Sequence, residues 1–295
     1  MSSLQHKIDF AVVLCVTNAN PNGDPLNGNR PRTSYDSIGE ITDVCLKRKL
    51  RDRLLESGEE IFVQSDDRRK QGDNCRSLAD RAKSRLGDAL GGPDTVARAC
   101  AAWFDVRAFG QLFAIKSAKK ATPRKSAKKA DAGDEGDALE GDTGISIGIR
   151  GPVTLQSAFS LDPVEITSTQ ITKSVSGEGD GSKRGPDTMG MKHRVDRGVY
   201  VCFGSMNPQL AERTGFSDED AAKIKAILPR LLENDASAAR PEGSMEILHV
   251  VWWQHASKSG VCSSAKVHRS LRVDGDGQVT VSHIDGLDPE IIPGF

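Results

Sequence analysis

The sequence predicts an α+β fold, a ferredoxin-like core interrupted by insertions, on three observations. Apolar runs at 8–17, 198–206 and 246–254 are rich in Val, Ile and Leu and read as buried strands. Amphipathic helical stretches at 40–56 and after Ser217 lie between them. With the polar insertions set aside, the order is strand, helix, strands, strand, helix, strand, which is compatible with βαββαβ. At 295 residues the chain can bury a substantial core, and with no internal repeat it reads as a single domain over 1–295.

Each element has its own warrant. The Asn20–Pro25 segment follows the first strand as a turn stiffened by Pro21 and Pro25, with Gly23 free to take positive φ. Over 40–56, Ile41, Val44, Leu46, Leu50, Leu54 and Leu55 gather mostly on one side of a helix. Residues 59–103 form an insertion with a short strand at 61–64, a helical region carrying Leu78, Ala82, Leu86 and Leu90, and a helix over 94–102. Residues 104–115 read as a strand or strand-turn. Lys116–Lys129 then carries seven cations and no acid, and Asp131–Asp142 six acids and no cation, a composition that buries little and predicts a mobile loop over 116–142. Strand character resumes at 144–149 and 153–159. Residues 164–194 form a long hairpin with both faces partly polar, turning through the glycine-rich 177–185. Ser217 and Asp220 have capping-box spacing, and Pro229 must kink or split the helix they open. Finally, 265–273 and 278–284 flank Asp274-Gly275-Asp276-Gly277, a hairpin signal.

Composition excludes several classes. The formal net charge of -1 rules out a globally basic binder, although a local cationic stripe suffices to hold a polyanion. The six cysteines are scattered without a C-x-x-C pair, which argues against a zinc cluster. The N-terminus has no signal-peptide core and no window reaches the length of a membrane span, so a cytoplasmic protein is expected. Asn18, Asn20, Asn22 and Gly23 mimic early positions of a calcium loop, but the ligands are neutral amides and Asn29 stands where a bidentate Glu is needed. No Walker loop, G-x-S-x-G, H-E-x-x-H or convincing carboxylate pair is present, and the histidines have no ligand spacing. No catalytic residue, metal or cofactor is therefore assigned.

Two segments carry candidate chemistry. Lys47-Arg48-Lys49-Leu50-Arg51-Asp52-Arg53 sets five cations against one acid in the helix that follows the shaped turn, a pattern suited to phosphate; the alternatives are a solvated helix face or acids of a neighbouring protein. Asp187–Arg194, on the return arm of the hairpin, combines two methionines with Lys192, His193 and Arg194: flexible wedges beside cations, or simply methionines packed into the domain.

The chain resembles the backbone subunit of the type I-C CRISPR effector complex (Cascade), within the repeat-associated RNA-binding superfamily. The anchors are Asn20–Pro25 with Asn29-Arg30-Pro31-Arg32, then Ile41–Lys49, Phe104–Gly110 and Gly148–Val153, supported by Ser168–Thr172 and Met189–His193. They cover most of 8–207, the C-terminal third matches loosely through Ser237–Arg240, and the 116–142 block matches nothing. The resemblance implies an RRM-like palm, helical fingers at 59–103 and a thumb hairpin at 164–194. Copies would stack head to tail along the spacer of a CRISPR RNA beside other Cascade subunits. The RNA bases, displaced by a thumb at regular intervals, would pair with target DNA, so that base pairing supplies specificity and the protein grips backbone.

On that resemblance, Asn20, Asn22 and Arg30 would meet the RNA from the turn, and Lys47, Arg48, Arg51 and Arg53 would neutralise phosphates. Thr169, Gln170, Thr172, Lys173, Met189, Lys192 and His193 would form the thumb's contact surface. Two alternatives stay open: metal-dependent RNA cleavage through Asp24 or Asp36, as related type III subunits perform, and general single-strand binding.

Overall fold

The computed structural model describes residues 2–69, 72–115, 145–172 and 189–295. The charged block at 116–142, the turn at 177–185 and Lys173 lie outside them. The strands are β1 (Ile8–Ala19), β2 (Gly23–Asp24), β3 (Arg30–Pro31), β4 (Ile38–Ile41), β5 (Gly110–Ile115), β6 (Ile145–Arg150), β7 (Val153–Leu155), β8 (Ala158–Pro163), β9 (Ile166–Thr172), β10 (Met189–Met206), β11 (Met245–Gln254), β12 (Leu271–Val273), β13 (Val279–Val281) and β14 (Pro289–Pro293). The helices are α1 (Asp43–Glu56), α2 (Leu78–Leu86), α3 (Thr95–Ala102), α4 (Phe104–Phe109), α5 (Pro208–Thr214), α6 (Asp218–Ile227) and α7 (Ser264–Ser270).

The main sheet runs β14-β11-β1-β10-β8-β4, with every pairing antiparallel, and β7 and β9 also pair with β10. Period-two alternation along β1 sends Phe10, Val12, Leu14 and Val16 to one face and Ala11 and Val13 to the other. The first face packs under α1, through Leu46, Leu50 and Leu54, and under α6, through Ala221 and Ile224. Asn18 takes a left-handed φ of 53°, and after it Ala19 rejoins the helix-side core instead of alternating away from it. Gly204 must be glycine, since a Cβ there would stand 2.2 Å from the Phe10 ring.

The second face is not open. Val267 of α7, Leu271 of β12, Ile284 and Leu287 cover it, packed on Val13, Val201, Val251 and Trp253. A buried polar cluster fastens this cap. Val261 N–H donates to His255 Nδ1 (2.9 Å), which leaves Nε2 to donate to the fully buried Asp9 of β1 (2.9 Å), and Lys7 lies 3.3 Å from the same carboxylate. A third core joins Phe62, Ala82, Leu86, Ala99 and Trp103 to Val106, Phe113 and Ile149.

Three local expectations are corrected. Residues 61–64 form no strand: the Phe62 and Val63 N–H groups donate to Asp105 (2.7 and 3.1 Å) and the Phe62 carbonyl accepts from Arg81 (2.7 Å), so side chains replace a ladder. Residues 104–109 are helical and end at Gly110, where φ is 82° and an added Cβ would meet the Ile149 carbonyl at 2.2 Å. Residues 264–270 are a helix capped by Ser263, and the predicted hairpin shrinks to β12 and β13. The capping box at Ser217 and Asp220 forms, and Pro229 lies in the 3-10 turn that follows α6. Among the described residues no helix is long and apolar enough to cross a membrane.

Candidate nucleic-acid interface

The turn after β1 is a folded platform. Asn20, largely buried, donates through Nδ2 to the Asn29 carbonyl (2.6 Å), and its own N–H donates to Ala239 O (2.9 Å). Its Oδ1 is buried with no hydrogen-bond partner among the described residues. Asn22 Oδ1 accepts from both Thr42 N–H and Thr42 Oγ1–H (2.9 Å each), and Thr42 in turn caps α1 by accepting from Cys45 N–H (3.3 Å). Gly28 and Asn29, both at φ 58°, close the β2–β3 hairpin. Asp24 accepts from Leu26 N–H (3.2 Å) and lies 3.4 Å from Arg32, while Asp36 is exposed. Two motifs separate in sequence thereby meet at the N-terminus of one helix.

Between them lies a cleft of about 590 Å³ lined by the neutral Asn22, by the cations Arg32, Arg48, Lys49 and Arg240 and by the acids Glu40, Asp43, Asp52 and Asp235. Charge is therefore nearly balanced, and what distinguishes the cations is their freedom. Arg48 is 58 % exposed, with loose pairs to Asp67 (3.3 Å) and Asp52 (3.8 Å). Lys47 pairs along the helix with Asp43 (2.9 Å). Lys49 is buried against Asp235. Arg51 donates to Asp105 (2.9 Å) and lies over the Phe109 ring at 5.1 Å. Arg53, 6 % exposed, reaches the Glu233 carbonyl and Glu56 (2.6 Å). Burial would raise the Asp235 carboxyl, but Lys49 and Arg240 bring it below the usual range; burial raises that of Asp52 despite Arg68 and Arg48. Arg30, partly exposed on β3, has no ion pair among the described residues.

Strands β9 and β10 pair Thr172 with Met189, Gln170 with Met191, Thr169 with Lys192 and Ser168 with His193, whose Nδ1 lies 2.8 Å from Ser168 Oγ. Directly paired residues share a face, and Val195 belongs to the helix-side core. Thr172, Gln170, Met189, Met191 and His193 therefore continue that side, whereas Thr169 and Lys192 point to the other. Met189 and Met191 are exposed rather than packed into the domain. Sequence reasoning passed over Arg32 and Arg240 as site-forming residues, although both stood in segments quoted for the family resemblance; Asp105 stood in such a segment too, but its reach across 54 positions to Arg51 had no local signal. Among the described residues no group of three or more His, Cys, Asp or Glu side chains is placed to share a metal ion.

The profile of CRISPR-associated protein Cas7 matches residues 6–288. The chain belongs to the Cas7 family. A Cas7 protein of Haloferax volcanii is 30% identical over 259 residues, covering 83% of this chain and 69% of the relative. Two solved structures are also similar. A CRISPR RNA-guided surveillance complex in a pre-nicking state has a TM-score of 0.42 at 16% identity over 84% of this chain and 75% of its own. A further CRISPR RNA-guided surveillance complex has a TM-score of 0.41 at 15% identity over 84% and 68%. The Cas7 match spans both the turn–α1 platform and the hairpin.

Proposed function

We propose that this chain is a non-catalytic backbone subunit of a type I-C Cascade complex, binding the spacer of a CRISPR RNA in several head-to-tail copies and holding its bases for pairing with target DNA. The strands β11-β1-β10-β8, with α1 and α6 on one face, serve as a ferredoxin-like palm in the order 4-1-3-2; residues 59–103 act as fingers and 164–194 as thumb. Membership of the Cas7 family carries the reading, and the platform at the α1 N-terminus supports it. There the exposed Arg48, with Lys47, Arg30 and Arg32, faces solvent where a phosphate chain can pass, and Asn20 and Asn22 shape the loop from within. Met189, Gln170, Thr172 and His193 supply the thumb contact on the helix side, with Thr169 and Lys192 on its reverse.

Co-expression with CRISPR RNA and partner subunits, followed by mass measurement and nuclease footprinting, tests the proposal. Several copies per RNA with protection across the spacer are expected. Arg48→Glu with Lys47→Glu should weaken binding and flatten the salt dependence, each lost phosphate contact removing about 0.7 from the slope. A single copy bound regardless of RNA length would sink the scaffold reading.

A further inference from the structure

Tyr35 is the most exposed large hydrophobic side chain among the described residues, its relative accessibility reaching 103%. Its turn is nevertheless tightly built. Ser34 N–H donates to the Ile38 carbonyl (2.8 Å), Ile38 N–H donates to Ser34 Oγ (3.3 Å), and Ser37 holds a left-handed φ of 61°. The turn is tied in two directions. Glu40 N–H donates to the Arg32 carbonyl (2.9 Å), and both residues line the α1 cleft. Val164 N–H, at the base of the hairpin, donates to the Ser37 carbonyl (2.9 Å), and Gly39 N–H donates to Ser160 Oγ of β8 (2.8 Å). Tyr35 thus stands on a short bridge between the cleft and the hairpin.

Its immediate sequence neighbours, Thr33, Ser34, Asp36 and Ser37, are all polar and not buried. A protein partner would want a contiguous apolar patch, which this surrounding does not offer. A flat ring three residues after Arg32 and five after Arg30 in the sequence, on a backbone already ordered, suits the face of a nucleobase. We propose that Tyr35 is a stacking platform for one base of the RNA strand as it passes from the cleft to the thumb. This rests on the RNA-binding reading above and adds a base contact that requires no sequence preference, because every base has a π-face.

The test is Tyr35→Trp, read by fluorescence. Trp103, Trp252 and Trp253 are buried, so the new indole reports its own surroundings. The probes are a single-stranded RNA and an abasic strand of equal length. Stacking predicts quenching by the RNA but not by the abasic strand. It also predicts an affinity loss of about tenfold or more in Tyr35→Ala that Tyr35→Phe does not share. Intact RNA binding without quenching, or equal quenching by both strands, overturns the stacking role and leaves the RNA reading standing. An emission change that follows protein concentration without RNA overturns it in favour of a contact between copies. A wild-type chain that binds neither strand overturns both.

Discussion

Arg48 and Arg53 sit five positions apart on α1 and have opposite surroundings. Arg48 faces water with two loose acidic partners, so Arg48→Ala should leave the thermal midpoint nearly unchanged while weakening RNA binding. Arg53 is enclosed by Glu233 and Glu56, and Arg53→Ala should cost about 3 kcal/mol in denaturant unfolding. Equal effects of the two changes on RNA affinity at matched stability would contradict this division. Asp105 is a second keystone. It accepts from two backbone N–H groups and from Arg51, so Asp105→Ala leaves three donors unmatched in a buried site. A loss of about 3–5 kcal/mol is expected, measured by urea titration, with loosening of the 61–63 segment visible in hydrogen exchange.

At the scale of the element, the 59–103 segment carries a pH dependence. Asp73 accepts from Cys75 N–H (2.9 Å) and from Arg81 (2.6 Å), and these bonds lower its carboxyl to about 2. A carboxyl depressed in the folded state stabilises above its unfolded value, near 4, and that contribution disappears as pH falls from about 4 to about 2. Asp73→Asn should flatten that part of the acid-unfolding curve; an unchanged curve would remove Asp73 from the account. The long core strands and α1 and α6 were legible because apolar periodicity and capping spacing are local signals. The 61–64 segment has the composition of a strand, but it pairs with no strand among the described residues, and its hydrogen-bonding groups meet Asp105 and Arg81 instead. The α1 cations illustrate the same limit. Their clustering was plain, yet the burial of Lys49 and Arg53 depends on Asp235 and Glu233, some 180 residues away. For α7, the Ser263 cap was available, but hydrophobic residues at 267 and 271 fit strand and helix alike.

The molecule as a whole closes one face of its sheet with its own C-terminal segment, and Asp9 holds that cap. Burial alone would raise the Asp9 carboxyl; the His255 bond, with Ser264 and Lys7, brings it below the usual range. Its contribution is therefore present above about pH 4 and fades on acidification. Asp9→Ala should destabilise by about 3–5 kcal/mol and raise dye binding to the uncovered Val251 and Trp253 face; a variant with unchanged stability would show that apolar packing alone retains the cap. The eighteen-residue β10 has a different consequence. It runs without a break from the hairpin into the centre of the sheet, hydrogen-bonded to β1 from Ala19↔Val195 to Ile8↔Met206. A pull on Met189 along that strand loads the whole ladder in shear, so its bonds must yield together rather than unzip in turn. The exposed outer part of β10 is thereby mechanically grounded, and force applied to it is delivered along one strand directly to the core.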